Sequence, residues 1–454
     1  MDELIIERQR ESAHRSWERA AFHALVCAGL VTVAVHAVAQ TKHKAQPPPA
    51  SSDDQTAAKT EALLHESEDA LNRKDFAAAV KSLKAVLDLQ PDLTPAWFSV
   101  GYAYTGLHQD DDAVAAYRKS IELQPDLFEA RINLGILLVE MSRPKDALEH
   151  LEKASSLKPE NARAHLYYAR ALAAAGEAEA AQKQFQETLR LEPKSAIAHF
   201  DLGQIELNQK HFEEARAEFE KAAGLDGHLA QAWLGTALAL EGLKRPGDAA
   251  ADFEKYLGLK PDDLETRFHL AKINLQEGKN EDALANLQKV YQVKPGMAGL
   301  AAALGDVCAL LKKLPDSERY YREALAGTPD DSDLHRALGK TLLDEEKLEA
   351  AESEFRAALK INPQNLEAQH GLAATLYLEK RYPETIPLLE ARTREPNPPD
   401  EAFFLLATCY DHLRDNRKAL AAYERFLELA QDKNSNQVWQ AQQRAKLLRR
   451  MLEK

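Results

Sequence analysis

Two arginines seven residues apart, Arg163 and Arg170, and two histidines 34 apart, His165 and His199, are the side chains whose type and spacing come nearest to a chemical site. On a helix, a separation of seven puts both guanidinium groups on one face, where together they could grip an acidic group. The histidines would need Cys or carboxylate co-ligands to hold a metal ion, and no such set accompanies them, so no metal is expected. Catalytic signatures are missing as well: there is no Gly-rich phosphate loop, no His-Glu-x-x-His and no Cys-x-x-Cys. A formal net charge of −14 disfavours nucleic acid as a partner. The residues point to a binding protein without a catalytic site or a cofactor.

The elements that would position these groups are marked by proline. Pro91, Pro125, Pro159, Pro193, Pro261, Pro295, Pro329 and Pro363 stand at one spacing of 34, with Gly227 where a ninth would fall. Frames of 34 residues counted from Thr60 put each of them at place 32 and align other columns. Place 20 is small in all eleven frames, from Ala79 to Ala419, and place 8 is small as well, from Ser67 to Ala407. Place 24 is always large and apolar, from Leu83 to Tyr423. Places 4, 7, 8 and 11 share one face of a first helix, and places 20, 24 and 27 one face of a second. Small residues at 8 and 20 let the two backbones approach, and the side chain at 24 fills the space beside them. Each frame therefore reads as a helical hairpin. Proline opens several second helices (Pro144, Pro246, Pro315, Pro383), and proline at place 32 turns the chain into the next hairpin.

The chain resembles the tetratricopeptide repeat family, whose Trp, Leu, Gly, Tyr, Ala, Phe and Pro signature is nearly whole in the second frame as Trp97, Val100, Gly101, Tyr104, Ala113, Tyr117 and Pro125. Frames drift at place 4, where Arg131, His165, His199 and Arg267 replace the Trp97 and Trp233 of other frames. The resemblance implies an all-α fold, a right-handed superhelical solenoid of stacked hairpins with a concave groove lined by places 2, 5, 9 and 12 of the first helices. Such grooves hold peptides or partner domains. In frames two to five those places carry Phe98, Tyr102, Ile132, Ile136, Leu166, Phe200 and Gln204, with Val139, Leu207, Leu234 and Leu238 extending the strip and Arg163 and Arg170 among them. An apolar strip with two fixed cations would suit a peptide bearing an acidic residue; burial of the strip between neighbouring first helices is the alternative. Frames seven to nine turn polar there, with Lys272, Asp306, Arg336 and Lys340. The family's clamp for chaperone tails, Lys at place 5 with Asn at place 9, occurs in no frame.

Residues 60–433 thus form eleven repeats, residues 40–59 a disordered linker containing Pro47-Pro48-Pro49, and residues 434–454 a capping helix that continues the register with Ala441 at place 8. The basic cluster of that last segment suits a helix C-terminus. Pro383 and Pro387 in frame ten, followed by Pro396, Pro398 and Pro399, suggest a bend ahead of frame eleven. Cys308 and Cys409 lie three frames apart, too far for a disulfide, and are expected as buried free thiols.

Residues 1–39 read as a signal peptide or an uncleaved membrane anchor. Residues 20–39 are an uncharged apolar run ending in Ala37-Val38-Ala39, small at the first and third places before a cut. Four arginines before the run against Lys42 and Lys44 after it favour repeats outside the cytoplasm. The reading that results is an exported or membrane-tethered scaffold for protein partners in envelope assembly or secretion, periplasmic or otherwise extracytoplasmic. The alternatives are a non-catalytic, substrate-presenting subunit of an envelope enzyme such as a glycosyltransferase, and a cytoplasm-facing regulatory scaffold on an uncleaved anchor. The mature chain is predicted to begin at Gln40; N-terminal sequencing of protein from its native host checks this, and recovery of an intact residue 1–39 segment would establish the anchor instead.

Overall fold

The computed structural model describes residues 52–431 and 435–453, and the apolar run at 20–39 lies outside them. Among the described residues there are 23 helices and no strand, and no helix is long and apolar enough to cross a membrane. They divide into two compact units, one ending at Leu259 and the other beginning at Lys260. The first unit pairs α1 (Ser52–Asn72) with α2 (Phe76–Leu89), α3 (Thr94–Gly106) with α4 (Asp110–Leu123), α5 (Phe128–Glu140) with α6 (Pro144–Leu157), α7 (Ala162–Ala175) with α8 (Ala178–Leu191), α9 (Ala196–Asn208) with α10 (Phe212–Leu225) and α11 (Ala230–Gly242) with α12 (Pro246–Leu259). The second pairs α13 (Leu264–Gln276) with α14 (Asn280–Val293), α15 (Leu300–Leu310) with α16 (Leu314–Gly327), α17 (Ser332–Asp344) with α18 (Leu348–Ile361), α19 (Leu366–Leu378) with α20 (Tyr382–Arg392) and α21 (Asp400–His412) with α22 (Asn416–Leu429), and ends in the single helix α23 (Asn436–Leu452). The helix α1 takes in residues 52–59, so the segment expected as a linker over 40–59 is helical in its last part, where no Gly or Pro interrupts it.

The columns of the repeat do the packing assigned to them. Every residue at place 20 is wholly buried, including Ser317 and Thr385. Those two hydroxyls are satisfied locally: Ser317 donates to the Gly305 carbonyl at 2.9 Å and Thr385 to the Arg381 carbonyl at 3.0 Å. The large side chain at place 24 is a wedge between two first helices. A Cβ on Gly203, at place 8 of the same frame, would come within 2.9 Å of Phe219, and one on Gly235, at place 6 of the next frame, within 2.7 Å. Phe355 is held the same way between Gly339 and Gly371. Each such buried ring or leucine contributes about 1.5–3 kcal/mol, and it does so by tying one hairpin to the next.

Place 4 supplies the polar complement, and here the apparent drift has a common cause. Trp97 and Trp233 donate their indole N–H to the carbonyls of Pro91 at 2.7 Å and Gly227 at 3.2 Å. Arg131, Arg267 and Gln369 donate to the carbonyls of Pro125, Pro261 and Pro363 at 2.6, 2.9 and 2.7 Å. The Nε2 atoms of His165, His199 and His335 meet the carbonyls of Pro159, Pro193 and Pro329 at 3.1, 3.2 and 3.0 Å. In these eight frames the place supplies an N–H on a side chain long enough to reach the carbonyl six residues back, whereas Leu63, Ala301 and Phe403 stand there in the other three. The proline turn that ends one hairpin is thereby fastened to the first helix of the next.

The turn inside each hairpin was not evident from the residue types. Place 15 is left-handed in all eleven frames, with φ between 57° and 88°, yet only Gly176 and Gly278 are glycines; the others are Lys74, His108, Ser142, Lys210, Lys244, Lys312, Glu346, Lys380 and Arg414. Several first helices open on a side-chain cap, as where Asn161, Asp263 and Asn365 accept from the N–H three residues on at 3.0, 3.0 and 3.1 Å.

Around the prolines of frame ten, α20 runs unbroken through Pro387, and one apolar cluster joins Ala373, Leu389, Leu406, Tyr423 and Leu448. One expectation at the C-terminal end is corrected: α23 does not keep the 34-residue register. From α3 onward the first helices before it are capped at place 34 of the preceding frame, as at Leu93 and Leu229, except α15, which is capped at Gly299; α23 is capped by Ser435, two residues late. Trp439 thereby takes the place that Trp97 and Trp233 hold, and Ala441 moves onto the face packed against the apolar cluster, where it is wholly buried.

A left-handed lysine carries about 1–2 kcal/mol of steric cost that glycine avoids, offset in part by the greater freedom of glycine in the unfolded chain. Lys244→Gly is therefore expected to raise stability by about 0.5–1 kcal/mol, and Gly176→Ala to lower it by about 1 kcal/mol; denaturant midpoints of both variants against wild type check the pair.

Candidate functional site

The first helices α3, α5, α7 and α9 carry the residues singled out for partner binding, and the structure sorts them. Ile132, Ile136 and Phe200 are 3%, 1% and 8% exposed, and Leu207 and Leu234 are buried as well. Phe200 packs on Phe219 with ring centroids 5.7 Å apart, and Phe98 on Tyr117 at 5.9 Å. Place 5 is therefore part of hairpin closure, because it flanks the wedge at place 24 on the side that the small residue at place 8 leaves open. These apolar residues are packing first. Phe98, Tyr102, Leu166 and Gln204 keep partial exposure, as do Arg163 and Arg170. Tyr102 also meets Phe76 edge to face at 6.1 Å.

The two arginines share a ring but not a fate. Their guanidinium carbons each lie 5.5 Å from the centroid of Tyr167, one turn of α7 away from each. Arg170 Nε donates to Asp201 Oδ2 at 2.6 Å, with side chains only 17% and 14% exposed. That cation is already matched by a carboxylate on α9, and removing either partner would strand the other charge. Among the described residues Arg163 meets no such carboxylate, and its Nη2 is buried without a hydrogen-bond acceptor. It stands in the first turn of α7, where the helix dipole also favours negative charge. A carboxylate placed against it would satisfy a donor that the described residues leave unsatisfied.

The histidines are committed to structure. His165 Nδ1 lies 2.7 Å from Gln184 Oε1, and His199 Nδ1 lies 2.6 Å from Glu218 Oε2, while both Nε2 atoms are held by the proline carbonyls. Both nitrogens of each ring lie against protein oxygens, and no group of three His, Cys, Asp or Glu side chains that could hold a metal occurs among the described residues. Cys308 and Cys409 are free and buried. Burial pushes the Cys409 thiol up to about 12 and raises that of Cys308, so neither offers a thiolate near neutrality.

The second unit holds a cavity that no sequence motif marks, about 440 Å³, walled by Tyr377, Phe404, Thr408, Tyr423, Trp439 and Arg444. Burial raises the Tyr377 and Tyr423 hydroxyls, which remain protonated at physiological pH. Arg444 is paired with Asp411, Nη2 to Oδ1 at 2.7 Å. The signal that could have found it is aromatic: Phe404 stands at place 5 of the last full frame, ahead of the lone Trp439.

Family models described as Tetratricopeptide repeat match residues 94–127, 138–189, 169–230, 209–263, 274–341, 336–400 and 402–437. The chain belongs to the tetratricopeptide repeat family. Tetratricopeptide repeat protein 37 of Xenopus laevis is 42% identical over 59 residues, which are 13% of this chain and 4% of that protein. Among solved structures, Pseudomonas aeruginosa PilF is 20% identical, with 48% of this chain and 99% of that one covered at a TM-score of 0.41. Yeast Tom70 is 15% identical, with 89% and 97% covered at 0.33, and MamA of Desulfovibrio magneticus RS-1 is 23% identical, with 38% and 97% covered at 0.37. At these identities the likeness to the solved structures is one of fold alone.

The place-4 bonds give a graded prediction. His199→Phe removes both ring contacts and is expected to cost about 1–2 kcal/mol, while His199→Gln, which can reach the proline carbonyl as Gln369 does, is expected to cost about half as much. Urea melts of the two variants check it, and equal losses would show that the carbonyl bond contributes nothing.

Proposed function

We propose that this repeat array is a binding scaffold, exported to or tethered at the cell envelope, whose first unit holds a peptide segment through an acidic residue seated on Arg163. The observation that carries the contact is the buried, unsatisfied Nη2 of Arg163 beside Tyr167. In a low-dielectric setting a charge-assisted bond from guanidinium to carboxylate is among the stronger polar contacts a peptide can make. The half-buried Phe98, Tyr102 and Leu166 would supply the apolar contact, and Gln204 an amide for the peptide backbone. Arg170, already paired with Asp201, shapes the surface and does not seat the acid. Support for the envelope setting is the apolar run at 20–39 and its Ala37-Val38-Ala39 ending. No catalytic group is assigned.

Partners captured from extracts of the native host should depend on Arg163 in a particular way. Arg163→Glu is expected to weaken capture by about 1–4 kcal/mol and to remove most of its salt dependence, whereas Phe98→Ala should weaken it with the salt dependence unchanged. Circular dichroism establishes that each variant is folded. Full retention of every captured partner by folded Arg163→Glu would rule out this seat for the acid.

A further inference from the structure

Among the described residues, α23 is a first helix with no second helix packed on it. In the complete frames the first helix is covered on one side by its own second helix, as Gly101 is by Tyr117 and Gly305 by Tyr321. α23 buries Val438, Ala441, Ala445 and Leu448 in the terminal apolar cluster. Its other face carries Trp439, Gln443, Lys446 and Arg450 at spacings of four, three and four, with Leu447 alongside. Trp439 is 61% exposed and Leu447 43%, and Trp439 also walls the 440 Å³ cavity. Lys446 and Arg450 make no ion pair with any described residue, whereas Arg444 and Arg449 are paired with Asp411 and Glu424. A terminal helix that only kept the array soluble would turn a polar face outward. This one presents an indole, a leucine and two cations that no described residue pairs.

The opposite end of the described chain has the matching chemistry. Places 3 and 10 of the first helices pack on the preceding hairpin and are buried in the next frames, as Ala96 and Ala103, Ala130 and Leu137, and Ala164 and Ala171. In α1 the same two places are Ala62 and Asp69, both exposed. They share their face with Ala58 and with Glu66, which has no ion-pair partner among the described residues. Small alanines leave room for a large ring to approach, and the carboxylates stand where cations would meet them. Across its described side chains α1 is acidic, and α23 carries four bases and no acid.

We propose that the Trp439 face of α23 binds the acidic outer face of α1 in a second copy of the chain, joining molecules head to tail. Two different surfaces meet in such a contact, so each molecule keeps one of each free and association continues beyond the dimer. The indole and Leu447 lie over Ala58 and Ala62, and Lys446 and Arg450 pair with Glu66 and Asp69.

Sedimentation velocity of the full chain from about 1 to 100 µM, in about 50 and 500 mM salt, tests it. Wild type is expected to grow beyond monomer mass with concentration at low salt and to return toward monomer at high salt. Lys446→Glu with Arg450→Glu, and separately Glu66→Lys with Asp69→Lys, should each remain monomeric while keeping the wild-type circular dichroism spectrum. Mixing the two doubly reversed proteins recreates opposite charge at both kinds of junction and should restore association. Trp439→Ala should weaken it about tenfold without altering the salt dependence. A wild type that stays monomeric throughout, reversed variants that associate as wild type does, or a mixture that fails to associate would each overturn the proposal.

Discussion

The wedge at place 24 sets the terms for everything around it. A single large side chain per frame fills the gap between its own first helix and the next one, and it fits because glycine, alanine or serine stands at place 8 throughout. Phe219 has Gly203 at one wall and Gly235 at the other, each too close for an added methyl group to be accommodated without movement. This constraint fixes the approach of three helices at once and forbids insertions, since a shift of one residue would carry the ring off its small neighbour. The unbroken 34-residue register follows from it.

Around that apolar joint the polar groups divide into those that close the structure and those left over. Trp, Arg, His and Gln at place 4 differ in charge, size and aromaticity but share an N–H aimed at the same carbonyl. Arg170 and Asp201 are consumed by each other across neighbouring frames. Among the buried polar atoms of the first unit, Arg163 Nη2 is left without a partner once those demands are met. Function on such a scaffold lies in the surplus, after the repeat has taken what it needs.

The repeat was legible in the sequence because its constraints act on residue size at fixed intervals: Ala215, Gly203 and Phe219 announce a close helix crossing without any coordinates. The apolar strip was harder to read. Ile132, Ile136 and Phe200 look like a groove lining on a helical wheel, but proximity to the wedge, which no wheel displays, turns them inward. The left-handed turn at place 15 was hidden because lysine tolerates that conformation at a cost and so outnumbers the glycine that would have revealed it. The slip before α23 was hidden as well, since Ala441 is small in either register. Arg163 and Arg170 were legible as a pair; that one is matched and the other is not depends on Asp201, 31 residues from Arg170.

The longer side-chain bonds show how far one part of this chain can reach another. Asn365 reaches Ser332, Arg444 reaches Asp411 and Arg170 reaches Asp201, at separations of 33, 33 and 31 residues, each close to one frame. A polypeptide whose contacts stay this local closes small loops as it folds, so the entropy lost before each gain is modest and ordering can begin at any adjacent pair of hairpins. It also comes apart piecewise, with terminal frames opening before central ones. Hydrogen exchange along such a chain would form a gradient from its ends, and whatever occupies the middle frames would lengthen the lifetime of their immediate neighbours first.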